Sequence, residues 1–216
     1  MENELNPQDH IVFIVDDDRR ICEALSELLS TYDLNVVTFG SAIEYIAYPK
    51  PDVPACLILD VELPDINGLE LQRQTGQGNQ PQIVFITGHG DIPTSVRAIK
   101  AGAVDFLTKP FSEADLMQAI HTALAQDREV RRKRTELAEL NKRLSSLTPR
   151  EREVLPLVVS GLLNKQVAAE LKISEITVQI HRGKIMQKMR AGSFADLVRI
   201  AGALEVPVTH ARHAQR

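Results

Sequence analysis

Residues 11–18 read IVFIVDDD, an apolar run of five residues followed directly by three aspartates. Apolar runs of this length are typical of strands that are buried on both faces of a parallel sheet. Similar runs recur along the chain at residues 36–39, 56–59, 83–86 and 104–107. Stretches with helical spacing of apolar residues separate them. Five such β-α units predict an α/β fold over residues 10–126, with a doubly wound, five-stranded parallel sheet of the flavodoxin-like type.

Polar side chains stand directly after four of these runs. Asp16, Asp17 and Asp18 follow the first run, Asp60 the third, Thr87 the fourth and Lys109 the fifth. Because the carboxyl ends of parallel strands meet at one edge of a sheet, we expect these side chains to lie together. Clustered carboxylates repel one another, and a divalent cation is the usual way for them to remain ionised. Mg²⁺ fits best, since it binds a few carboxylate or carbonyl oxygens together with water and phosphate.

Asp60 is the candidate nucleophile of this cluster. Its expected surroundings are a metal ion, the Lys109 ammonium and the Thr87 hydroxyl, which can stabilise charge on an incoming phosphoryl group. An aspartate carboxylate can accept such a group covalently. The sequence therefore predicts a phosphorylatable aspartate beside a Mg²⁺ site. The alternative, that residues 16–18 only cap the first crossover helix, leaves the shared position of Asp60, Thr87 and Lys109 unexplained.

The motifs around these residues resemble the receiver domain of two-component response regulators. They comprise the strand that ends in Asp16-Asp17, the run Leu57–Asp60 with Pro64 and Gly68 after it, Thr87-Gly88, and Phe106–Pro110. The resemblance implies that Asp60 accepts a phosphoryl group from a sensor histidine kinase. It also implies that Mg²⁺ is held by Asp16, Asp17, Asp60 and the backbone carbonyl of Glu62. Lys109 would pair with the phosphate, Thr87 and Phe106 would move together as a switch, and the Lys109–Pro110 bond would be cis.

Two features depart from the commonest receiver pattern. Leu63 stands where many receivers have Met, and Asp18 adds a third acid, which we expect outside the metal shell. The run Gly88-His89-Gly90-Asp91 is similar to the loop of the FixJ branch of the family. His89 is either a surface loop residue or a participant in switching or in a dimer face, and the sequence leaves both interpretations open.

A phosphatase of the haloacid dehalogenase type is the main alternative function. Asp16 and Asp18 form a D-x-D pair after the first run, as in that class. That class, however, normally has Thr or Val two residues after the second Asp, where this chain has Arg20, and it gives no role to Asp60 or Lys109. A flavin or nucleotide module is not supported, because no glycine-rich loop follows the first run. The sequence favours a regulator that is not an enzyme.

Charge divides the chain into an acidic and a basic part. Residues 1–127 hold 7 Lys and Arg against 20 Asp and Glu, whereas residues 128–216 hold 18 against 9. A basic part suits polyanions, so it is the candidate nucleic-acid binder. Residues 112–146 contain neither Gly nor Pro and predict a long helix, with 127–146 as the linker between two domains. Its stretch 128–134 holds five Lys and Arg and is expected to be exposed, and too few heptads are present to predict a coiled coil.

The pattern from residue 147 to residue 204 is entirely helical. Start and stop signals lie at Thr148, Gly161, Asn164, Ser174 and Ser193. Thr148 before a proline predicts an N-cap, and Gly161 is placed to end that helix. Asn164 and Ser174 are interpreted as the caps of two further helices, which end at about residues 171 and 189. A last helix is expected over 193–203, and the tail 205–216 is expected to be disordered.

Two consecutive capped helices in a basic bundle predict a helix-turn-helix that lays one helix in the major groove. Residues 147–203 resemble the LuxR/FixJ-type DNA-binding domain, through Leu147–Leu155 and through Gly161, Asn164, Lys165, Ser174, Thr177-Val178, His181 and Lys188. The resemblance implies that residues 175–189 are the recognition helix. DNA contacts are expected from Lys165, Thr177, Gln179, His181, Arg182, Gly183 and Lys184. Glutamine can pair with adenine, whereas basic side chains more often meet phosphate. A solvated helix face is the alternative for these charges.

Further partners follow from these resemblances. They imply a homodimer on phosphorylation, an inverted-repeat promoter site in double-stranded DNA, and RNA polymerase as a partner. Cys22 and Cys56 lack metal-ligand spacing and are interpreted as small core residues rather than as a disulfide or a zinc site. No apolar run approaches the roughly 20 residues that cross a bilayer, so we expect no membrane partner and a cytoplasmic location.

Overall fold

The computed structural model describes residues 10–75, 80–88, 90 and 92–208, which form two compact units that divide after Arg132. The strands of the N-terminal unit are β1 (Ile11–Val15), β2 (Val36–Phe39), β3 (Ala55–Asp60), β4 (Gln82–Thr87) and β5 (Asp105–Thr108). Its helices are α1 (Arg19–Ser30), α2 (Ala42–Ala47), α3 (Gly68–Thr75) and α4 (Ile92–Lys100), and α5 (Glu113–Ser145) continues into the C-terminal unit. All five predicted strands are present. β3 and β4 extend one residue further at each end than predicted, and β5 begins one residue later.

The sheet has the predicted parallel, doubly wound architecture. Its strand order is β2-β1-β3-β4-β5, and Val15 lies opposite both Phe39 and Leu59. The chain builds outward from β1 in one direction and from β3 in the other, so the strand order reverses between these two strands. Their carboxyl ends are therefore adjacent at the point where such folds bind ligands.

Alternate residues of the strands supply two separate hydrophobic cores, as the period of two in a strand requires. Val12, Ile14 and Ile58 pack on one face with residues of α1 and of the first part of α5. Phe13 and Leu57 pack on the other face with residues of α2 and α3. Every residue of β1 and β3 is buried, which explains why these strands read as continuous apolar runs rather than as alternating ones.

The expectation that residues 128–134 are exposed is wrong for Arg131. Its side chain is only 12% exposed, and its guanidinium forms ion pairs with Asp127 at 2.6 Å and with Asp52. Asp127 is also buried and accepts a hydrogen bond of 2.9 Å from the amide of Ala55, the first residue of β3. A charge can be buried where it is paired, and the composition of the stretch does not reveal a partner as distant in sequence as Asp52. We call these three charged residues, Asp52, Asp127 and Arg131, the α5 ion-pair cluster.

The C-terminal unit contains α6 (Pro149–Val159), α7 (Asn164–Leu171), α8 (Glu175–Met189) and α9 (Phe194–Ala203). Thr148 caps α6 in a reciprocal pair with Glu151, and Ser174 and Ser193 cap α8 and α9. Gly161 follows α6 with a φ of 85°, a conformation that favours glycine. These predicted signals are confirmed, and the core of the unit includes Val154, Val167, Val178, Ile185 and Met189.

The interpretation of Asn164 as a helix cap is wrong. Asn164 is the first residue of α7, and the amide of the preceding Leu163 donates instead to the Gln166 side chain at 2.8 Å. The side chain of Asn164 accepts a hydrogen bond from Arg182 of α8 at 3.2 Å. A tertiary contact has therefore replaced the local capping role that asparagine favours.

Cys22 and Cys56 are both free and buried, as predicted. Among the described residues, no helix combines the length and the apolar character that a membrane span requires. His89 and residues 209–216 of the predicted tail lie outside the described residues. The expectation of disorder is wrong at the start of the tail, because the amide of Val206 donates to the carbonyl of Ala201 at 2.9 Å and the Val206 side chain packs against the core of the C-terminal unit.

Candidate functional site

Three predicted metal ligands meet at the carboxyl edge of the sheet. Asp60 is the last residue of β3, and Asp16 and Asp17 directly follow β1. One carboxylate oxygen from each of the three lies within 4.8 Å of the others. Asp16 and Asp60 are buried and Asp17 is exposed, so the cluster is open to solvent on one side. Asp18 lies outside it, because its side chain caps α1 by accepting from the amide of Arg20 at 2.9 Å.

Lys109 lies between the two buried carboxylates. Its Nζ donates to Oδ2 of Asp16 at 2.6 Å and to Oδ2 of Asp60 at 2.7 Å. The backbone amide of Lys109 donates to the carbonyl of Thr87 at 2.7 Å, and the Lys109–Pro110 bond is cis, as predicted. The ammonium therefore offsets the repulsion between Asp16 and Asp60.

The pKa values at this edge follow from burial and from these contacts. Burial raises the pKa of the Asp16 carboxyl above its ordinary value, and the hydrogen bond from Lys109 opposes that increase only in part. Burial acts to lower the pKa of Lys109, but its bonds to Asp16 and Asp60 outweigh burial and raise that pKa. Lys109 is thus held in its charged form, which is the form that can pair with a further anion.

Backbone groups fix the remaining oxygens of both carboxylates. The amide of Glu62 donates to Oδ1 of Asp60 and the amide of Asp18 donates to Oδ1 of Asp16, each at 2.9 Å. Gly68 approaches the same loop closely, because a Cβ at this position would overlap the backbone carbonyl oxygen of Asp60. The orientation of Asp60 therefore depends on the backbone of the β3–α3 loop as well as on Lys109. The role of the Glu62 carbonyl as a ligand stays a prediction.

The two predicted switch residues lie on the neighbouring strands of the same edge. Thr87 ends β4 and is fully buried. Phe106 lies on β5, half-buried, with its ring 6.1 Å from that of Phe85. A Cβ at Gly90 would overlap the methyl group of Thr108 and lie 3.2 Å from the Phe106 ring. Glycine at this position avoids these overlaps, whereas a residue with a side chain would displace Gly90 from the switch residues.

The predicted DNA-contacting residues occupy two kinds of position. Lys165 on α7 and Gln179, Gly183 and Lys184 on α8 are exposed. Three further residues of α8 are half-buried, namely Thr177, His181 and Arg182. The sequence prediction treated all seven residues alike as DNA contacts. The structure divides them into four that are open to a ligand and three that also pack within the domain.

Arg182 has partners inside its own unit. Its guanidinium donates to Oδ1 of Asn164 at 3.2 Å and lies 5.2 Å from the ring of Phe194. It therefore links α8 to α7 and α9 and does not extend freely from the exposed face. Ile176 and Ile180, which are not among the predicted DNA contacts, are exposed as well, with exposed fractions of 71% and 51%. Their spacing of four residues was the available signal, because it separates them from the buried Val178 and Ile185.

Comparisons with known proteins cover both units. Residues 12–121 match the response regulator receiver domain, and residues 145–201 match the bacterial regulatory proteins of the LuxR family. Nodulation protein W of Bradyrhizobium diazoefficiens is 48% identical over 95% of this chain and 91% of that protein. Response regulator protein TmoT of Ectopseudomonas mendocina is 46% identical over 93% of this chain and 92% of its own. A solved structure of response regulator StyR is 45% identical, with a TM-score of 0.78 over 90% of this chain and 98% of that one.

These matches extend over nearly the whole chain and agree with the resemblances read from its motifs. The family consists of transcriptional response regulators with a receiver and a DNA-binding domain, not of enzymes, so the phosphatase alternative is excluded. A receiver domain implies a histidine kinase as partner, and a LuxR-family domain implies DNA as ligand. The chain therefore belongs to the two-component response regulators that join a receiver domain to a LuxR-family DNA-binding domain.

Proposed function

We propose that a sensor histidine kinase phosphorylates this regulator on Asp60. The observation that carries the proposal is the Lys109 ammonium, which bridges Asp16 and Asp60 while a backbone amide holds the other oxygen of Asp60. In the transfer, a carboxylate oxygen of Asp60 attacks the phosphorus of a phosphohistidine, and the phosphorus–nitrogen bond breaks with its electron pair left on the imidazole. Lys109 then stands beside the new phosphoryl oxygens, whose charge it stabilises.

The carboxylate cluster suits Mg²⁺. Its three described donors are all carboxylate oxygens within 4.8 Å of one another, and Mg²⁺ takes oxygen ligands and keeps several waters. The Glu62 carbonyl would be the remaining protein ligand. A bound Mg²⁺ supplies positive charge next to the acids and the phosphoryl oxygens. Lys109 supplies one positive charge to a cluster of three carboxylates, so a further cation would balance the remaining negative charge.

Phosphorylation of Asp60 would control dimerisation through the switch residues. It adds about −1.5 to −2 charge at pH 7 at an edge that also carries Thr87 and Phe106. On the neighbouring α4, the apolar side chains of Ile92, Val96 and Ile99 are exposed at helical spacing. Exposed apolar surface of this kind supports α4 as part of the homodimer face.

The DNA-binding domain would then act as a dimer on an inverted repeat in a promoter, with RNA polymerase as a further partner and the cytoplasm as the location. Lys165 and Lys184 are exposed cations suited to phosphate, and Gln179 is suited to a base edge. A gel-shift series on promoter DNA, with and without acetyl phosphate and Mg²⁺, tests this proposal. Tighter binding after phosphorylation, with an affinity that falls steeply as salt rises, is the expected result. Equal binding in both conditions contradicts phosphorylation control.

Substitution of Gly68 by alanine tests the packing of the phosphorylation loop. The new methyl group would overlap the carbonyl oxygen of Asp60 and approach the Phe85 ring to 3.2 Å. We expect a loss of about 1–3 kcal/mol in the free energy of unfolding and slower phosphorylation by acetyl phosphate. Gly40→Ala is the matched control, because its Cβ would have only an ordinary contact at 3.8 Å. Equal behaviour of the two variants in urea unfolding and in phosphorylation rate argues against a special role for Gly68.

Substitution of Gly183 by alanine separates helix stability from DNA binding. A Cβ at this exposed α8 position would meet nothing within 4 Å, and alanine is favoured over glycine inside a helix by about 1 kcal/mol. We therefore expect a more stable protein with weaker DNA binding, because the methyl group occupies space that the DNA backbone or a base would approach. Thermal unfolding and gel-shift titration give the two quantities. Raised stability with unchanged affinity indicates that Gly183 is only a solvated helix position.

A further inference from the structure

The exposed face of α8 is apolar at its centre. Ile176, Gln179, Ile180 and Gly183 are all exposed, and their spacing of three and four residues sets them in one line along the helix. The opposite side of α8 supplies Val178, Ile185 and Met189 to the core. Ile176 and Ile180 are thus not core residues, and they occupy the face that a recognition helix presents to DNA.

None of the four residues of this line is cationic, but the exposed Lys184 lies four residues after Ile180 and so borders it. Arg182 is turned toward Asn164 and Phe194, and Lys188 is paired with the buried Glu151 at 2.7 Å. Lys184 is exposed one position beyond Gly183 and is suited to phosphate. Guanine is most often read by a bidentate Arg or Lys, so Lys184, at the border of the line, is the exposed cation of α8 that could read a G·C pair, whereas Ile176, Gln179 and Ile180 could not.

The groups that the line does carry match A·T pairs. The Gln179 amide can accept from N6 and donate to N7 of adenine, and apolar side chains contact the methyl group of thymine. Ile176 and Ile180 lie about 6 Å apart along the helix axis at 1.5 Å per residue, close enough for both to reach base pairs of one half-site. Glu175, at the start of α8, lines a cleft together with Lys165, Gln179 and Arg182.

We propose that Ile176 and Ile180 contact thymine methyl groups next to an adenine read by Gln179, so that two or three adjacent A·T pairs specify each half-site. The inference rests on the proposed DNA binding by α8 and adds which base pairs that helix selects. Ile176 and Ile180 would therefore determine sequence specificity, whereas Lys165 and Lys184 contribute affinity without sequence preference.

Thymine-to-uracil substitution tests the proposal, because it removes one methyl group and leaves base pairing unchanged. Duplexes are first selected from a random library with the full-length protein in the presence of acetyl phosphate and Mg²⁺. Each thymine of the selected half-site is then replaced by deoxyuridine, and each adenine by 7-deazaadenine, which lacks the N7 acceptor. For the wild type we expect a roughly fourfold loss of affinity at one or two thymines, as for one buried methyl-sized group, and about a tenfold loss at one adenine.

The variants assign these losses to side chains. Ile176→Ala or Ile180→Ala should bind the thymine and uracil duplexes equally at its own position, and Gln179→Ala should become insensitive to 7-deazaadenine. Lys184→Ala is the control, since it should weaken all duplexes alike and lower the salt dependence. Both isoleucines are exposed, so thermal unfolding should show no loss of the fold. Selection of G·C pairs in the half-site, or uracil losses that persist in both isoleucine variants, overturns this inference while DNA binding stands. Failure to bind any duplex overturns the proposed function itself.

Discussion

The Asp60→Asn variant is expected to remain unphosphorylated after incubation with acetyl phosphate and Mg²⁺, whereas the wild type gains a single phosphate. The asparagine amide has nearly the volume of the carboxylate, but it lacks the nucleophilic oxygen anion that the transfer requires. Because phosphorylation-dependent dimerisation would depend on that group, it should be lost as well. Intact-mass spectrometry measures the adduct, and analytical ultracentrifugation measures the dimer.

Two neighbouring aspartates provide controls for this result. Asp18→Asn retains a good N-cap for α1 and lies outside the carboxylate cluster, so it should be phosphorylated like the wild type. Asp16→Asn removes a proposed metal ligand that also bonds to Lys109; it should slow the reaction and weaken Mg²⁺ binding while Asp60 is still modified. A phosphate adduct on Asp60→Asn identifies another acceptor and removes the basis of the proposed switch.

The residues of the receiver site could be predicted because a simple rule connects them. Each follows an apolar run, and the ends of parallel strands converge at one edge of a sheet. Asp16, Asp60 and Lys109 were assigned to this edge from the sequence, and the bonds of Lys109 join all three. The alternative that residues 16–18 only cap a helix holds for Asp18 alone. Local capping signals such as Thr148 and Ser174 were equally readable, because both partners of each bond lie within one turn of helix.

The parts that could not be predicted depend on partners far apart in the chain. Arg182 was assigned to DNA from its position on α8, but its bond to Asn164 becomes visible only when α7 and α8 are packed together. That same bond explains why Asn164 is not a cap. The apolar pattern left open whether Ile180 belongs to the core, and the packing of α8 decides it, because the side chain is 51% exposed. Helical periodicity gives the faces of a helix but not which face packs.

The α5 ion-pair cluster provides the second large expected effect, on stability. Asp127→Ala would leave the guanidinium of Arg131, whose side chain is 12% exposed, without its i,i+4 partner, and the amide of Ala55 without its acceptor. Breaking a buried ion pair in this way typically costs about 3–5 kcal/mol, and because Arg131 keeps its pair with the exposed Asp52, we expect the lower end of that range. We therefore expect urea unfolding of the receiver domain to shift by an amount that is a large part of its total stability.

The neighbouring Arg132 is a matched control for this prediction. It pairs with Glu129 on the exposed side of the same helix, where the two side chains are 62% and 45% exposed. An exposed pair contributes at most about 1 kcal/mol, so Arg132→Ala should change the unfolding free energy little. Asp127→Asn should fall between the two, because its amide oxygen can still accept from the Ala55 amide while the charge is lost.

These variants also test where the receiver domain ends. If Asp127→Ala is as mild as Arg132→Ala, then residues 127–132 behave as the exposed linker that their composition suggests. A loss several times larger means that α5 is held to the amino end of β3 as far as Arg131. Because β3 carries Ala55 at one end and Asp60 at the other, the ion-pair cluster would then fix the start of the same strand whose end is phosphorylated.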